Sequence, residues 1–335
     1  MPNTVTGQVT VQPGQVSGAI DLTPVPVSGT VVIDRHPPFR PLMMTLDPTQ
    51  SPSGVILPLK NGVTYDFRIF WGDGTSDRIT SHNQAETHHT YPGNGPYQIR
   101  IVGDLPQFHS STQYNSTFPV VSIDDWGDVV FSSMQRACAG WQFLRSIPTG
   151  GNFSGVTNWR EAFSFCLALE AFPLLDVSAG TDFHRTWESC PSMLDFAPLV
   201  FGPNADLHQA WYGGQFESFP AITLPAGCDV STAWQECTAM KVFGAVDFTH
   251  VSSDMGTAFN NCNAIEQFLA TNIGVGGASN IYINGNMDAA AINVLLGNLS
   301  SPGNNRIVDI SGNPGEPTCD KSIGINKGWD VHPEP

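Results

Sequence analysis

The sequence has few charged residues, and positive charge is especially scarce. Only 13% of its 335 residues are Asp, Glu, Lys or Arg, whereas about 25% is usual for a soluble protein. Its 14 Lys and Arg are outnumbered by 30 Asp and Glu, which gives a formal net charge of −16. An acidic surface repels phosphate backbones and anionic lipid headgroups. We therefore expect neither nucleic acid nor a membrane surface among its partners.

Long apolar runs and a signal-like start are also missing. No run approaches the roughly 20 apolar residues that cross a bilayer, so we expect no membrane insertion. No Lys or Arg precedes Arg35, and no apolar block follows Met1. A secretory signal needs a basic start and an apolar stretch. We therefore expect no export by the ordinary secretory route.

Motifs for metal binding and catalysis are absent as well. The seven cysteines are odd in number and form no C-x-x-C pair, which disfavours a complete disulfide framework and a structural zinc site. No G-x-S-x-G or phosphate-binding loop occurs. The adjacent carboxylates of Asp124 and Asp125 could suggest a glycosidase, but the surrounding "SIDDWGD" is more typical of a turn. We predict no catalytic residue, no metal ligand, no cofactor and no enzymatic activity.

Glycine and proline are abundant, at 33 and 26 residues, which favours short strands and turns over long helices. In the first 50 residues, "GQVTVQPGQVSGAI" alternates valine with polar residues, but "TPVPV" and "DRHPPFRPLMM" interrupt the alternation. We interpret residues 1–50 as an extended N-terminal arm with some strand, lying on its own domain or on a neighbouring subunit. A floppy tail is the alternative.

Residues 51–120 have the pattern of a small antiparallel β-sandwich. "YDFRIFW" and "YQIRIVG" alternate apolar and polar residues, as half-buried strands do. "GDGT" and "PGNGP" favour turns. Asp73 and His89 lie near these turns, where a metal-binding or catalytic role is conceivable. We favour the alternative that Asp73 caps its own turn and that His89 forms a hydrogen bond across the strands.

Three short motifs in this segment are distinctive. They are "WGDGT" with Trp71, Asp73 and Gly74, "HTY" with His89 and Tyr91, and the strand "GPYQIRI". Together they resemble the PKD-type immunoglobulin-like domain. That resemblance implies a binding or spacer module.

Residues 121–280 contain a repeat whose aromatic positions are 23 to 25 residues apart. Four units carry an aromatic residue followed three residues later by cysteine, and a Leu, Met or Ile and a Phe follow at further steps of three. These pairs are Phe163 and Cys166, Trp187 and Cys190, Trp234 and Cys237, and Phe259 and Cys262. In a fifth unit, at Trp211, one residue is deleted and Gly214 replaces cysteine. We expect a helical turn that ends near the aromatic residue, with the aromatic residues and the cysteines stacked unit on unit in the core.

The pattern A-[FW]-x-x-C-x-x-[LMI]-x-x-F resembles the BspA-like leucine-rich repeat family, as does the "WGD" lead-in at Trp126. The resemblance implies a solenoid and a surface-displayed binding protein of bacteria, with similar modules in phage virion proteins. The family's "SNFDTSKVTNM" segment is missing here, so no ligand can be carried over. We expect residues 281–335 to cap the stack, with a helix that begins after Asn286 and strands within "NRIVDISGN" and "INKGWDV".

The irregular unit offers the best candidate binding residues. Trp211, Tyr212 and Gly213 interrupt the regular repeat, and aromatic faces can stack on sugars. The register of Trp211 favours a place in the core. Tyr212 is one position out of register and is the better candidate for exposure.

The fold class we predict is mostly β with short helices: an N-terminal arm, an Ig/PKD-like β-sandwich, a leucine-rich-repeat solenoid and a C-terminal cap. Three functions stay open. The first is a non-enzymatic phage virion surface protein, either a head decoration or fibre or a tail fibre. It would contact other virion proteins through residues 1–50, assemble in several copies, and bind a host-surface glycan or protein. The second is a bacterial cell-surface adhesin, and the third, which we disfavour, is a polysaccharide-acting enzyme.

Overall fold

The computed structural model describes residues 39–51, 54–110, 118–251, 253, 255–274, 280–302 and 306–334. Most of the expected N-terminal arm lies outside these residues. The described part is mostly β with a few short helices, which confirms the coarse fold class. Its fifteen strands are β1 (Leu42–Leu46), β2 (Val55–Ile56), β3 (Asp66–Phe70), β4 (Ser76–Ile79), β5 (His88–His89), β6 (Tyr97–Asp104), β7 (Val120–Asp125), β8 (Ala171–Phe172), β9 (Asp195–Phe196), β10 (Ser218–Phe219), β11 (Val242–Phe243), β12 (Gln267–Phe268), β13 (Ile281–Tyr282), β14 (Arg306–Asp309) and β15 (Trp329–His332). Its α-helices are α1 (Ala289–Asn298) and α2 (Ser322–Ile325).

The N-terminal part is an antiparallel sheet with the strand order β4-β3-β6-β1-β7. Strand β1 pairs with both β6 and β7. Three of its side chains, Leu42, Met44 and Leu46, are fully buried. Residues 42–46 are therefore part of the sheet, by their pairing with two strands and by the burial of every second side chain in "LMMTL". The boundary of 1–50 that we expected for the arm is therefore too long at its C-terminal end.

The repeats continue directly from this sheet. Strand β7 meets the next segment in a parallel bridge between Ser122 and Ser146. The backbone N–H of Ile123 donates to the carbonyl of Ser146 at 3.0 Å, and the N–H of Arg145 donates to Val121 at 2.9 Å. One hydrophobic core runs without interruption from the sheet through the repeats.

Successive repeat units lie side by side in parallel register. Each contributes a two-residue strand, β8 to β12, whose second residue is a buried phenylalanine. A second line of parallel bridges joins Asn158 to Asp182, Asp182 to Asp206, and Asp206 to Asp229. Every bridge in that line connects two neighbouring units, so one period of the sequence repeat corresponds to one unit of the stack.

The segment before each cysteine is a hydrogen-bonded turn and not the helical turn we expected. In the unit of Phe163, the N–H groups of Glu161, Phe163 and Phe165 each donate at 2.9 Å to a carbonyl of the next unit. Glu161 and Phe165 are left-handed, with φ of 55° and 58°. This backbone directs alternate N–H groups sideways, and an α-helix would keep them within the segment.

The C-terminal part adds α1, α2 and a parallel sheet with the strand order β13-β14-β15. Ile292, Leu295 and Leu296 of α1 are fully buried. The helix begins after Asp288, whose side chain accepts the N–H of Ala291 at 2.8 Å. Our expectation of an N-cap at Asn286 is therefore wrong by two residues.

Candidate binding surface

Stacked aromatic rings form the centre of the repeats. The rings of Trp187, Trp211, Trp234 and Phe259 are successively 5.4, 5.3 and 5.2 Å apart between centroids, with interplanar angles of 10° or less. The phenylalanines of strands β8 to β12 form a second stack. We call these two stacks the aromatic ladders. Trp211 has no exposed surface, so a ligand cannot reach its ring, and our inclusion of Trp211 among the binding residues is not supported.

The repeat cysteines are buried hydrogen-bond donors. The thiols of Cys190, Cys237 and Cys262 donate to carbonyls at the aromatic position of the preceding unit, at 3.0 to 3.3 Å. Cys166 donates in the same way to the carbonyl of Cys138. All seven cysteines are free, and burial raises the pKa of Cys190 to about 12. Such thiols are poor nucleophiles because little thiolate is present at neutral pH.

Gly214 stands at the cysteine position of the irregular unit for a steric reason. A Cβ atom at Gly214 would lie 2.5 Å from the ring of Phe216. Phe216 is fully buried, and its ring takes the space that a cysteine fills elsewhere. In the unit of Trp211, the deletion of one residue and the replacement of cysteine by Gly214 therefore belong together, because both accommodate the ring of Phe216.

Tyr212 is half-buried, and it belongs to a surface that extends over three units. We call this surface the turn face and define it as the solvent-facing side chains of residues 160–165, 184–189 and 208–213. Gly213 is also half-buried and has a φ of 71°. Its glycine is explained by this left-handed position, which side chains disfavour.

At one edge of the turn face, basic side chains lie close to aspartates of the second line of parallel bridges. Arg160 Nε lies 3.1 Å from Asp182 Oδ2, and His184 Nδ1 lies 4.0 Å from Asp206 Oδ2. The rings of His184 and His208 stack at 4.9 Å. Burial, and then the positive charge of Arg160, lower the pKa of His184. The lowered pKa keeps the ring of His184 neutral at physiological pH.

The middle of the turn face is a polar network. Arg185 Nε donates to Gln209 Oε1 at 2.6 Å and lies 3.8 Å from Glu188 Oε1. The buried hydroxyl of Ser164 donates to Glu188 Oε2 at 3.0 Å. Burial raises the pKa of Glu188. Arg185 and Gln209 are thus the half-buried members of this network, and Ser164 and Glu188 are its buried members.

The motif residues of the N-terminal sheet come together in one cluster. The ring of His89 stacks on Trp71 at 4.4 Å, and its Nε2 lies 2.9 Å from Asp73 Oδ2. Asp73 Oδ1 accepts the N–H of Thr75 at 2.9 Å, and Tyr91 donates its hydroxyl to the Trp71 carbonyl at 3.0 Å. These are the turn cap and the cross-strand hydrogen bond that we favoured over a metal-binding role. Gly74 lies in the same turn with a φ of 95°.

Burial acts to raise the pKa of Asp73, but the hydrogen bonds from Thr75 and His89 outweigh burial, so the pKa lies below its usual value. Within the described residues, no group of three or more His, Cys, Asp or Glu is placed to hold a metal ion.

The adjacent carboxylates of Asp124 and Asp125 lie at the end of strand β7, and Asp125 Oδ1 accepts the N–H of Gly127 at 2.9 Å in the turn that follows. Asp124 accepts hydrogen bonds from Thr45 at 2.8 Å and from Gln98 at 3.1 Å. Asp125 forms an ion pair with Arg40 at 2.6 Å. Both carboxylates therefore hold neighbouring chain segments to the sheet.

No protein-family model, curated protein or solved structure matches the chain. Neither described helix is long and apolar enough to cross a membrane.

Proposed function

We propose that the chain is a non-enzymatic surface protein of a phage virion, as a head decoration or fibre or as a tail fibre. In this proposal the repeats form a leucine-rich-repeat solenoid that displays a binding surface for host attachment. The residues before β1 anchor the chain to other virion proteins.

The turn face is the observation that carries this proposal. It presents the half-buried Tyr212, the hydrogen bond from Arg185 to Gln209 and the stacked pair of His184 and His208 on consecutive units. Neighbouring parallel strands are about 4.8 Å apart, so equivalent side chains recur at that interval along the stack. Polar side chains and an aromatic residue that are spread over successive units suit an extended glycan or peptide on a host surface.

Host binding is tested with the purified, fluorescently labelled chain on a panel of bacterial cells and isolated cell-surface polysaccharides. Replacing Tyr212 with alanine should weaken binding about tenfold, because a central aromatic anchor typically carries a large share of binding energy. Tyr282→Ala removes another half-buried tyrosine far along the sequence and should leave binding unchanged. Equal binding by both variants and the parent chain would contradict the assignment to the turn face.

Anchoring is tested by deleting residues 1–38, which leaves strand β1 in place. The shortened chain should fold, bind cells as before and fail to load onto particles. Full loading onto particles would show that the anchor lies elsewhere. Finding the protein on intact bacterial cells in the absence of phage would instead favour an adhesin.

A further inference from the structure

A groove of about 550 Å³ lies at the end of the last repeat, between strand β12 and helix α1. Glu266 and Phe268 belong to its strand side, and Ala290, Ala291 and Val294 belong to its helix side. Val294 is 47% exposed, although it belongs to a helix whose other large apolar residues are buried. The groove is separate from the turn face.

Backbone carbonyls on the strand side of the groove have no partner among the described residues. In the preceding unit, the Lys241 carbonyl accepts the N–H groups of Glu266 and Gln267 at 2.8 and 3.0 Å, and the Phe243 carbonyl accepts that of Leu269 at 2.9 Å. By repeat equivalence, the carbonyls of Glu266 and Phe268 are the next acceptors in these two rows. Strand β12 is the last strand of its sheet, so both rows end at the groove.

Opposite charges pair twice along the same edge, once on each side of Leu194. Arg145 and Glu170 of adjacent units are 3.7 Å apart, and Glu217 and Lys241 of adjacent units are 3.2 Å apart. Glu266 is the next residue in this column and ends it with an exposed negative charge. A positive side chain on a further strand would pair with Glu266 as Lys241 pairs with Glu217.

We propose that this groove binds an extended segment of a partner protein that carries a lysine or arginine. Three N–H groups of the segment donate, two to the carbonyl of Glu266 and one to that of Phe268, which extends the sheet by one strand. The basic side chain pairs with Glu266, and a neighbouring apolar side chain packs on Val294. This proposal does not depend on the function of the turn face.

The probe is a fluorescent peptide with the sequence "TAMKVFGAV", copied from residues 238–246. Strand β11 in this sequence already makes the required contacts one unit earlier, where the N–H groups of Lys241 and Val242 donate to the carbonyl of Glu217 and that of Gly244 donates to the carbonyl of Phe219. Fluorescence anisotropy should detect binding below about 1 mM, the range of weak specific complexes. No binding at that concentration would overturn the proposal.

N-methylation of the probe tests the backbone contacts without altering the protein. Methylating the glycine amide should weaken binding at least about tenfold, since the methyl group removes the one donor to the carbonyl of Phe268. Methylating the valine amide should weaken binding less, since the lysine amide still donates to the carbonyl of Glu266. The phenylalanine amide between them points away from the strand to be extended, so methylating it should have little effect. Equal loss from all three methylated peptides, or no loss from any, would contradict pairing with β12.

Two protein variants test the rest of the groove. Glu266→Lys should weaken the lysine peptide about two- to fivefold and strengthen a lysine-to-glutamate peptide by a similar factor, as expected for an exposed ion pair. Glu334→Lys makes the same change in net charge outside the groove and is the matched control. Val294→Asp should also weaken binding, whereas Val200→Asp alters an exposed valine in another unit. If the control variants have the same effects, the groove is not the binding site.

Discussion

At the scale of single residues, the core positions of the repeats are set by volume and by hydrogen bonding together. A cysteine fills a small space and also donates its thiol to a carbonyl of the preceding unit, as Cys190 does to Phe163. Serine has a similar size, but its stronger hydration makes burial more costly. The irregular unit uses another solution, in which the larger ring of Phe216 fills the space beside Gly214.

This exchange predicts strong coupling between the two positions. Gly214→Cys alone should lower the free energy of unfolding by about 1–3 kcal/mol, because the new side chain meets the ring of Phe216. Phe216→Leu alone should cost a similar amount by leaving a cavity. The double variant should lose less free energy of unfolding than the two single losses added together, by about 1 kcal/mol or more.

Urea denaturation of the four proteins, under reducing conditions, measures this double-mutant cycle. Ala258→Cys replaces another buried small residue, in a different unit, and should not couple to Phe216→Leu. Strictly additive effects at 214 and 216 would show that the two residues do not share one space.

At the scale of elements, the turns of five successive units, up to that of Trp234, are each built from two left-handed residues that are four positions apart. Glu161 and Phe165 hold these positions in one unit, and Arg185 and Ser189 hold them in the next. Hydrogen bonds to the neighbouring unit offset the backbone strain, because this conformation directs the N–H groups of the turn toward that unit. Cooperation between units, and not local propensity, therefore determines the turn.

Gly213 allows the strain of this turn to be measured. Its added Cβ would approach the nearest atom, Ser189 Oγ, only to 3.4 Å. Gly213→Ala should therefore lower the free energy of unfolding by about 1 kcal/mol through backbone strain alone. Gly155→Ala is the matched control, because nothing lies within 4 Å of its added Cβ and its φ is not left-handed.

Chemical denaturation of both variants decides the outcome. The control should be neutral or slightly stabilising, since alanine restricts the unfolded chain. A neutral result for Gly213→Ala would show that the turn tolerates side chains without strain.

Only part of this architecture could be read from the sequence. The steps of three between the aromatic residue, the cysteine and the phenylalanine gave the inward-facing positions, because side chains that share a core must recur in register. The turn was misread because Glu161 and Phe165 carry no glycine signal for a left-handed backbone. Strand β1 was missed because nearby prolines outweigh its short alternation. Exposure of Tyr212 depends on neighbouring units that a single repeat does not reveal.

At the scale of the whole molecule, the N-terminal sheet and the repeats are joined by an aromatic contact as well as by strand pairing. The ring of Trp141, in the first unit, lies 5.7 Å from Phe108 and 5.2 Å from Phe118. Its indole N–H donates to the hydroxyl of Ser110 at 3.1 Å. Trp141 has 1% exposed surface. The connection between β6 and β7, which contains Phe108, Ser110 and Phe118, therefore covers the first ring of the repeats from water.

This continuity predicts that the sheet and the repeats unfold in one transition. Hydrogen exchange followed by mass spectrometry should give similar opening free energies for β6 in the sheet and β11 in the repeats, because loss of either exposes the shared core. Trp141→Ala should lower both together by about 3–5 kcal/mol. Trp329→Ala, in the last strand, removes a buried tryptophan at the other end of the described chain and is the comparison. If Trp141→Ala lowers protection in the repeats but leaves β6 unchanged, the sheet is an independent domain and strand β7 is only a linker.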